Sequence, residues 1–287
     1  MRFFAVIWIA CWCACNAWGR MTIAVFPLSG EDQSPLSRWI GTSFCESAVA
    51  GLSSGQGVTL WDPLFLFSAD TSVRFLTTDS LLKKHHTRWE WDYAIGGRYR
   101  RQEDSVGYAL SIVRADHNVL SERTVTIQGE ADNIFALNRD ALFAVCRAIE
   151  LELTAEDSLR ITRPPARNRQ AYALYCGGYG FHMRGHLPQA LTAYLQALEK
   201  DQTMDRAHIG IGRIYARSDD NDKAMDHFRR ALLYRPGDPA IVAYLADLSV
   251  DYEDPADAWA FIDDRRETLV STSRGLVAYG KAYLARG

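Results

Sequence analysis

From Ala171 onward the chain repeats itself every 34 residues, and no other feature constrains its fold as strongly. Small residues recur at Gly178, Gly212, Ala246 and Gly280, and alanines at Ala190, Ala224 and Ala258 keep the same period. Phe181, Tyr215 and Tyr283 form a third series, broken by Ser249, while Tyr194 and Phe228 begin a fourth. Pro236 closes the second unit, where Gln202 stands at the matching place in the first. A period of this length fits one pair of antiparallel helices, which cannot bury its apolar face without a neighbour stacked upon it. The small residue on the first helix of each pair lets the second approach closely. Repeats start at Ala171, Asp205, Pro239 and Ser273, so the fourth is a single helix that reads as a solvating cap over the third. The alternative use of Leu276, Val277 and Tyr283 is a surface for a partner or a second copy.

This pattern is similar to the tetratricopeptide (TPR) repeat, which implies an all-α solenoid over residues 169–287 whose first helices line a concave face. The residues expected there are Tyr172, Tyr175, Tyr179 and His182 in the first repeat. The second supplies Arg206, Ile209, Arg213 and Arg217, and the third Ala240, Ala243, Asp247 and Asp251. A tyrosine wall beside an arginine row would suit an extended acidic or aromatic peptide, because both residue types serve well at interface centres. The competing reading makes the tyrosines internal packing and the arginines a solvated face. Tyr175 and Tyr179 occupy places where a carboxylate-clamp pattern wants Lys and Asn, so a C-terminal peptide ligand is not implied.

Ahead of the repeats, the chain reads as an α/β domain. Met21–Leu28 and Gly57–Asp62 are β-rich runs. Pro35–Leu52 carries apolar residues every four positions, and Thr78–Arg88 suggests a further helix. Asp92–Arg101, Ser105–Ala115 and Val119–Gly129 predict three strands joined by short polar turns, with Tyr108, Leu110, Ile112 and Arg114 alternating across the second. A helix is expected from Asp132 to about Leu153, and Arg163-Pro164-Pro165 marks a linker over 154–168. Three stretches in this order, IAVFPLSG, DYAIGGRYRR and DNIFALNRDALFAVCRAI, resemble the TolB-N-terminal-like domain found ahead of TPR arrays. The resemblance covers residues 20–153 and implies a mixed-sheet binding domain rather than a catalyst. Here the turn Ser29–Asp32 is short, and the segment Leu64–Phe75 is unusually apolar.

Residues 1–19 read as a secretory signal: Arg2, then an uncharged stretch from Phe3 to Cys15, then Ala17-Trp18-Gly19 ahead of a cut before Arg20. Ala10-Cys11 and Ala14-Cys15 offer a second reading, a lipoprotein signal with an N-terminal lipid anchor, although Trp8 and Trp12 replace the usual leucine. Either way the chain is expected in the periplasm or cell envelope. Cleavage before Arg20 leaves Cys45, Cys146 and Cys176. A Cys45–Cys146 bridge and three buried thiols are both open.

With 32 basic and 35 acidic residues the net charge is −3, which supplies no electrostatic hold on nucleic acid. His85-His86 with Glu90, and His182 with His186, are the nearest approaches to metal clusters, and neither shows a complete ligand set. There is no phosphate-binding loop, no GxSxG elbow and no CxxC. The sequence thus points to no catalytic residues, no metal and no cofactor. The expectation is a non-enzymatic envelope adaptor that binds protein or peptide partners through its repeats. The alternative is a small-ligand sensor that uses the α/β domain, with the apolar segment Pro63–Phe75 lining its pocket.

Overall fold

A computed structural model describes residues 21–30, 38–52, 58–61, 91–116, 119–269 and 273–285. These fall into two compact units that divide between Ala190 and Leu191.

The first unit is built on a sheet of β1 (Met21–Val25), β2 (Ser29–Gly30), β3 (Val58–Trp61), β4 (Tyr93–Gln102), β5 (Ser105–Asp116) and β6 (Val119–Glu130). Strand order is β3-β1-β4-β5-β6, with β2 pairing β4. β1 runs parallel to both β3 and β4, whereas β4, β5 and β6 form an antiparallel meander. This mixed topology follows from the connections. Gln102 pairs with Ser105, so Glu103-Asp104 turns the chain in two residues, with Glu103 at φ 46°. β1 instead reaches its parallel neighbour β3 after α1 (Arg38–Leu52). β1 is flanked on both sides and buried from Thr22 to Val25, which is why it reads as an unbroken apolar run. On β5, Val106, Tyr108, Leu110 and Ile112 are buried while Ala109 between them is exposed, the alternation expected of a sheet covered on one face; at the strand's far end the pattern breaks, with Val113 buried and Arg114 exposed.

That face is covered by α1 and by α2 (Ile134–Ala148), whose Phe44, Ala48, Leu137, Leu142 and Val145 share one core with the strands. The helix expected to run from Asp132 to Leu153 stops at Ala148. Glu150 takes a left-handed φ of 56°, and the Leu151 amide returns to the Cys146 carbonyl, so orphan carbonyls at the helix end are satisfied. The segment 154–168, expected as a linker, holds α3 (Ala155–Thr162). Thr154 and Asp157 form a reciprocal capping box at its start, and Ile161 packs into the sheet domain's core. Burial works against the Asp157 charge, but hydrogen bonds from Thr154 and the Arg160 guanidinium outweigh it and hold the carboxyl below its usual range. The helix ends where Arg163 becomes extended ahead of Pro164, as steric conflict with a following proline requires. Then comes α4 (Arg169–Met183), which belongs to this same unit.

The second unit consists of helix pairs. After α5 (Leu187–Lys200) come α6 (Asp205–Arg217) with α7 (Asn221–Tyr234), and α8 (Pro239–Tyr252) with α9 (Pro255–Asp264). The short α10 (Arg266–Leu269) and α11 (Ser273–Ala285) follow. First helices begin at Asp205, Pro239 and Ser273, and second helices at Leu187, Asn221 and Pro255, so the 34-residue period is kept at both ends of the pair. Asp238 and Asp254 cap α8 and α9 while Pro239 and Pro255 occupy the first turn, where a missing amide proton costs nothing. No described helix is long and apolar enough to cross a membrane.

Candidate functional site

The residues expected to line a groove divide into two groups. Tyr172, Tyr175, Tyr179 and His182 are all buried in α4. Tyr172 is wedged against α1 and α2, with Phe135 edge-on at 5.0 Å and Trp39 at 6.3 Å. Its hydroxyl donates to a Glu46 carboxylate oxygen at 2.9 Å and meets the Ser47 hydroxyl at 3.1 Å. Tyr175 and Tyr179 continue the ring series at 6.3 and 6.2 Å. The tyrosine wall is therefore a joint and not a groove, because a peptide would have to displace what already covers it. Contact between α4 and α1 is close: a methyl group at Gly180 would lie 3.1 Å from the Thr42 hydroxyl. Arg169, at the head of α4, clamps the start of α2 through Asp132 at 2.6 Å and the Ala131 carbonyl at 2.8 Å.

This joint rests on a buried hydrogen-bond network that periodicity does not reveal. Tyr108 on β5 donates to Asn138 Oδ1 at 2.8 Å. The Asn138 amide donates to Ser43 and Ser47 at 3.1 and 3.2 Å, and Ser43 donates to the Ile40 carbonyl at 2.7 Å. With Ser47 donating to Tyr172 and Tyr172 to Glu46, every proton in the chain has an acceptor. Burial pushes the Tyr108 phenol well above its ordinary range, so it serves as a neutral donor. The sequence signal was the cluster Ser43, Glu46 and Ser47, polar residues within about one turn of α1.

The charged residues of the repeats lie differently. Arg206 and Arg213 are partly exposed on α6, and Arg217 is exposed at its end. The Arg213 guanidinium sits 5.3 Å over the Tyr244 ring of α8, a cation–π contact that holds it along the helix face. One repeat further on, Asp247 meets Lys281 at 2.8 Å, and Asp251 meets the same ammonium at 3.4 Å. Burial works against the Lys281 charge, yet Asp247 and Asp251 hold its pKa above the ordinary value. Arg213, Asp247 and Lys281 occupy one repeat position, each 34 residues from the next. The first-helix face of these repeats thus carries a row of alternating charge. Of the other positions expected there, Ala243 is buried in the core of the third repeat, while Ala240 is exposed.

Behind this face lies a histidine pair that sequence reasoning missed. His208 Nδ1 on α6 and His227 Nδ1 on α7 are 3.0 Å apart, one necessarily donating to the other. Tyr234 stacks on His208 at 6.2 Å, and Tyr215 lies 5.9 Å from His227. Burial, reinforced by His208 and Arg230 against Asp226, pushes His227 down to about 4, and burial also lowers His208. The native imidazoles therefore bind protons less readily than the unfolded ones. Their stabilisation is complete above about pH 6.5 and is lost as pH falls through 4. Partial exposure of His227 screens part of this, leaving a loss of about 1–2 kcal/mol between pH 7 and pH 4.5. Thermal unfolding across that range should show a fall in Tm for the native chain and a flatter profile for His227→Gln. Parallel profiles would assign the acid sensitivity elsewhere.

Among the described residues no group of three metal-ligating side chains converges. His182 is buried and His186 exposed, with Gly185 at φ 77° ending the helix between them. His85, His86, Glu90, the Thr78–Arg88 helix and the Pro63–Phe75 segment lie outside the described residues. Cys45, Cys146 and Cys176 are buried thiols outside any disulfide, and burial pushes the Cys146 thiol up to about 11, which makes it a poor nucleophile. A cleft of about 400 Å³ beside Cys146 is lined by Ile127, Asp140, Phe143, Arg147, Leu151 and Leu153.

No family model matches the chain. The photosystem I assembly protein Ycf3 of Prochlorococcus marinus is 28% identical over 102 residues, 34% of this chain and 57% of the relative. The chain therefore spans little more than half the length of that relative. The crystal structure of MamA matches 52% of this chain and 91% of its own, at 17% identity and a TM-score of 0.27.

Proposed function

We propose that this chain is a non-enzymatic scaffold of the cell envelope, and that it holds a segment of a protein partner on the first-helix face of tetratricopeptide-type repeats. The observation that carries this reading is the charged row Arg213, Asp247 and Lys281, with Arg217 and Asp251 beside it. Packed helices lie about 8–10 Å apart, so such a row offers one charged group for about every three residues of an extended chain. In this reading the anchor for an acidic side chain is the pair Arg213 and Arg217 of α6. Arginine suits that role through its planar fork of donors. A relative named as an assembly protein supports the scaffold reading.

The sheet unit, which resembles the TolB-N-terminal-like domain, contacts a second partner in this scheme. Residues 1–19 direct export, with a lipid anchor as the variant form. Binding of a small ligand by the sheet unit is the second reading, and the cleft beside Cys146 is its specific support.

The test is cross-linking of the tagged full chain in intact cells, followed by recovery from the envelope fraction. Arg213→Ala with Arg217→Ala should lower recovery of the main partner about tenfold, the effect of losing a charge-assisted hydrogen bond or two. Helical content by circular dichroism should stay unchanged. Equal recovery by the double variant would remove this face from consideration.

A further inference from the structure

β6 is the last strand on the path through the sheet; it pairs with β5 from Val119 to Glu130, and no other described strand pairs with it. Natural edge strands are guarded by lysine, proline or a bulge. Over Thr124–Gln128 β6 carries none of these: the stretch is Thr-Val-Thr-Ile-Gln, and its register with β5 is unbroken. The direction of its backbone groups follows from the ladder. The Ala131 amide donates to the Asp104 carbonyl at 2.7 Å, so alternation along the antiparallel pair turns the backbone groups of Val125, Ile127 and Gly129 toward β5. Those of Thr124, Thr126 and Gln128 point away from it, and these three residues are exposed.

Beside this edge lies the cleft of about 400 Å³. The side chains of Val125 and Ile127 turn toward α2 and pack against the core. Asp140, Phe143 and Arg147, at helical spacing on the less buried side of α2, line the cleft with Ile127, Leu151 and Leu153. The Arg123 guanidinium donates to the Ala148 carbonyl at 2.8 Å, so the Arg147 end of the cleft is also its Arg123 end. Asp140 is paired with Arg139 at 2.7 Å, whereas Arg147 is exposed and no described carboxylate pairs with it.

We propose that the sheet unit binds an extended segment of a partner protein as a further strand on β6, antiparallel to it, with an apolar side chain in the cleft and an acidic one against Arg147. This rests on the reading that the sheet unit contacts a second partner. The residue opposite Ile127 forms a non-hydrogen-bonded pair, in which side chains approach most closely, and its side chain enters the cleft from the edge. Two residues on, opposite Val125, the side chain returns to the same side and lies toward Arg147. The residue between them exchanges both backbone hydrogen bonds with Thr126. The segment recognised is therefore an apolar residue, any residue, then Asp or Glu. Main-chain hydrogen bonds supply affinity and the alternate side chains supply specificity, as in other strand additions.

Fluorescence anisotropy of the full chain with a labelled peptide, serines and threonines flanking a central Leu-Thr-Glu, tests this. Binding should saturate. Methylation of the amide nitrogen of the central threonine should weaken it about tenfold, because one hydrogen bond is lost and the Thr126 carbonyl is left without its donor. Methylation of the glutamate amide, which points to solvent, should change it far less. Arg147→Glu should weaken the peptide about tenfold and favour a Leu-Thr-Lys version instead, a swap of preference that misfolding cannot imitate. Absence of saturable binding up to about 1 mM, equal loss from both methylations, or no swap with Arg147→Glu would each overturn the proposal. Displacement of the peptide by a small apolar acid, with no effect of main-chain methylation, would overturn it in favour of a small ligand. A partner that the chain with Arg213→Ala and Arg217→Ala still captures in cells belongs to the sheet unit. If Arg147→Glu captures that partner equally, the sheet unit keeps its partner and this edge is not the site.

Discussion

Phe228→Ala is expected to destabilise the helical-repeat unit by about 3–5 kcal/mol, the range for truncating a fully buried aromatic. The Phe228 ring is completely buried, fills the slot at Gly212, and stacks on Tyr244 at 4.9 Å with the planes nearly parallel. It therefore joins its own helix pair to the next. Urea unfolding followed by circular dichroism reads the loss, and amide exchange localises it to 205–252. The glycine supplies the complementary test. Gly212→Ala gains up to about 1 kcal/mol of helix propensity, but its methyl group overpacks the ring at a cost of about 1–3 kcal/mol. Combined with Phe228→Leu, that alanine should be better tolerated than on the native background, a coupling that a double-mutant cycle exposes. Strict additivity would show that the slot does not set the packing of the pair.

Asn138→Ala is expected to cost about 3 kcal/mol, although it removes only one small polar side chain. Its carboxamide accepts from Tyr108 and donates to Ser43 and Ser47. Without it, a buried phenol loses its acceptor and two serines lose their donor, and each unsatisfied group carries a desolvation penalty of about 1–3 kcal/mol. The combination Tyr108→Phe with Asn138→Leu should cost less than the two single changes together, because it leaves no phenol stranded. The network ends at Tyr172 on α4, so Asn138→Ala should also speed amide exchange across Arg169–Met183. A loss under about 1 kcal/mol, or an unaltered α4, would mean that the network is not what holds the joint.

How far these features were legible in the residues depends on the range over which each is determined. The helix starts at Asp205, Pro239 and Ser273 follow from a period that one helix pair imposes on its own sequence. The meander from Tyr93 to Glu130 follows from alternation and short turns. Both are local consequences of side-chain spacing. The end of α2 at Ala148 was not legible, since a non-glycine residue, Glu150, takes the left-handed position.

The candidate site shows the same division. Sequence placed Tyr172, Tyr175 and Tyr179 on one face of one helix, and in the fold all three are buried in α4. It could not say what the face meets, because the partners come from distant parts of the chain: Glu46 on α1 lies 126 residues from Tyr172. Likewise the 34-residue spacing of Arg213, Asp247 and Lys281 was present in the sequence, but which charges answer one another depends on helix packing. Period, alternation and capping act between near neighbours, so the residues alone determined the elements and the repeat. Burial of a tyrosine, closure of a proton chain and the pairing of Lys281 with Asp247 depend on what distant segments bring together, and only the tertiary structure decided them.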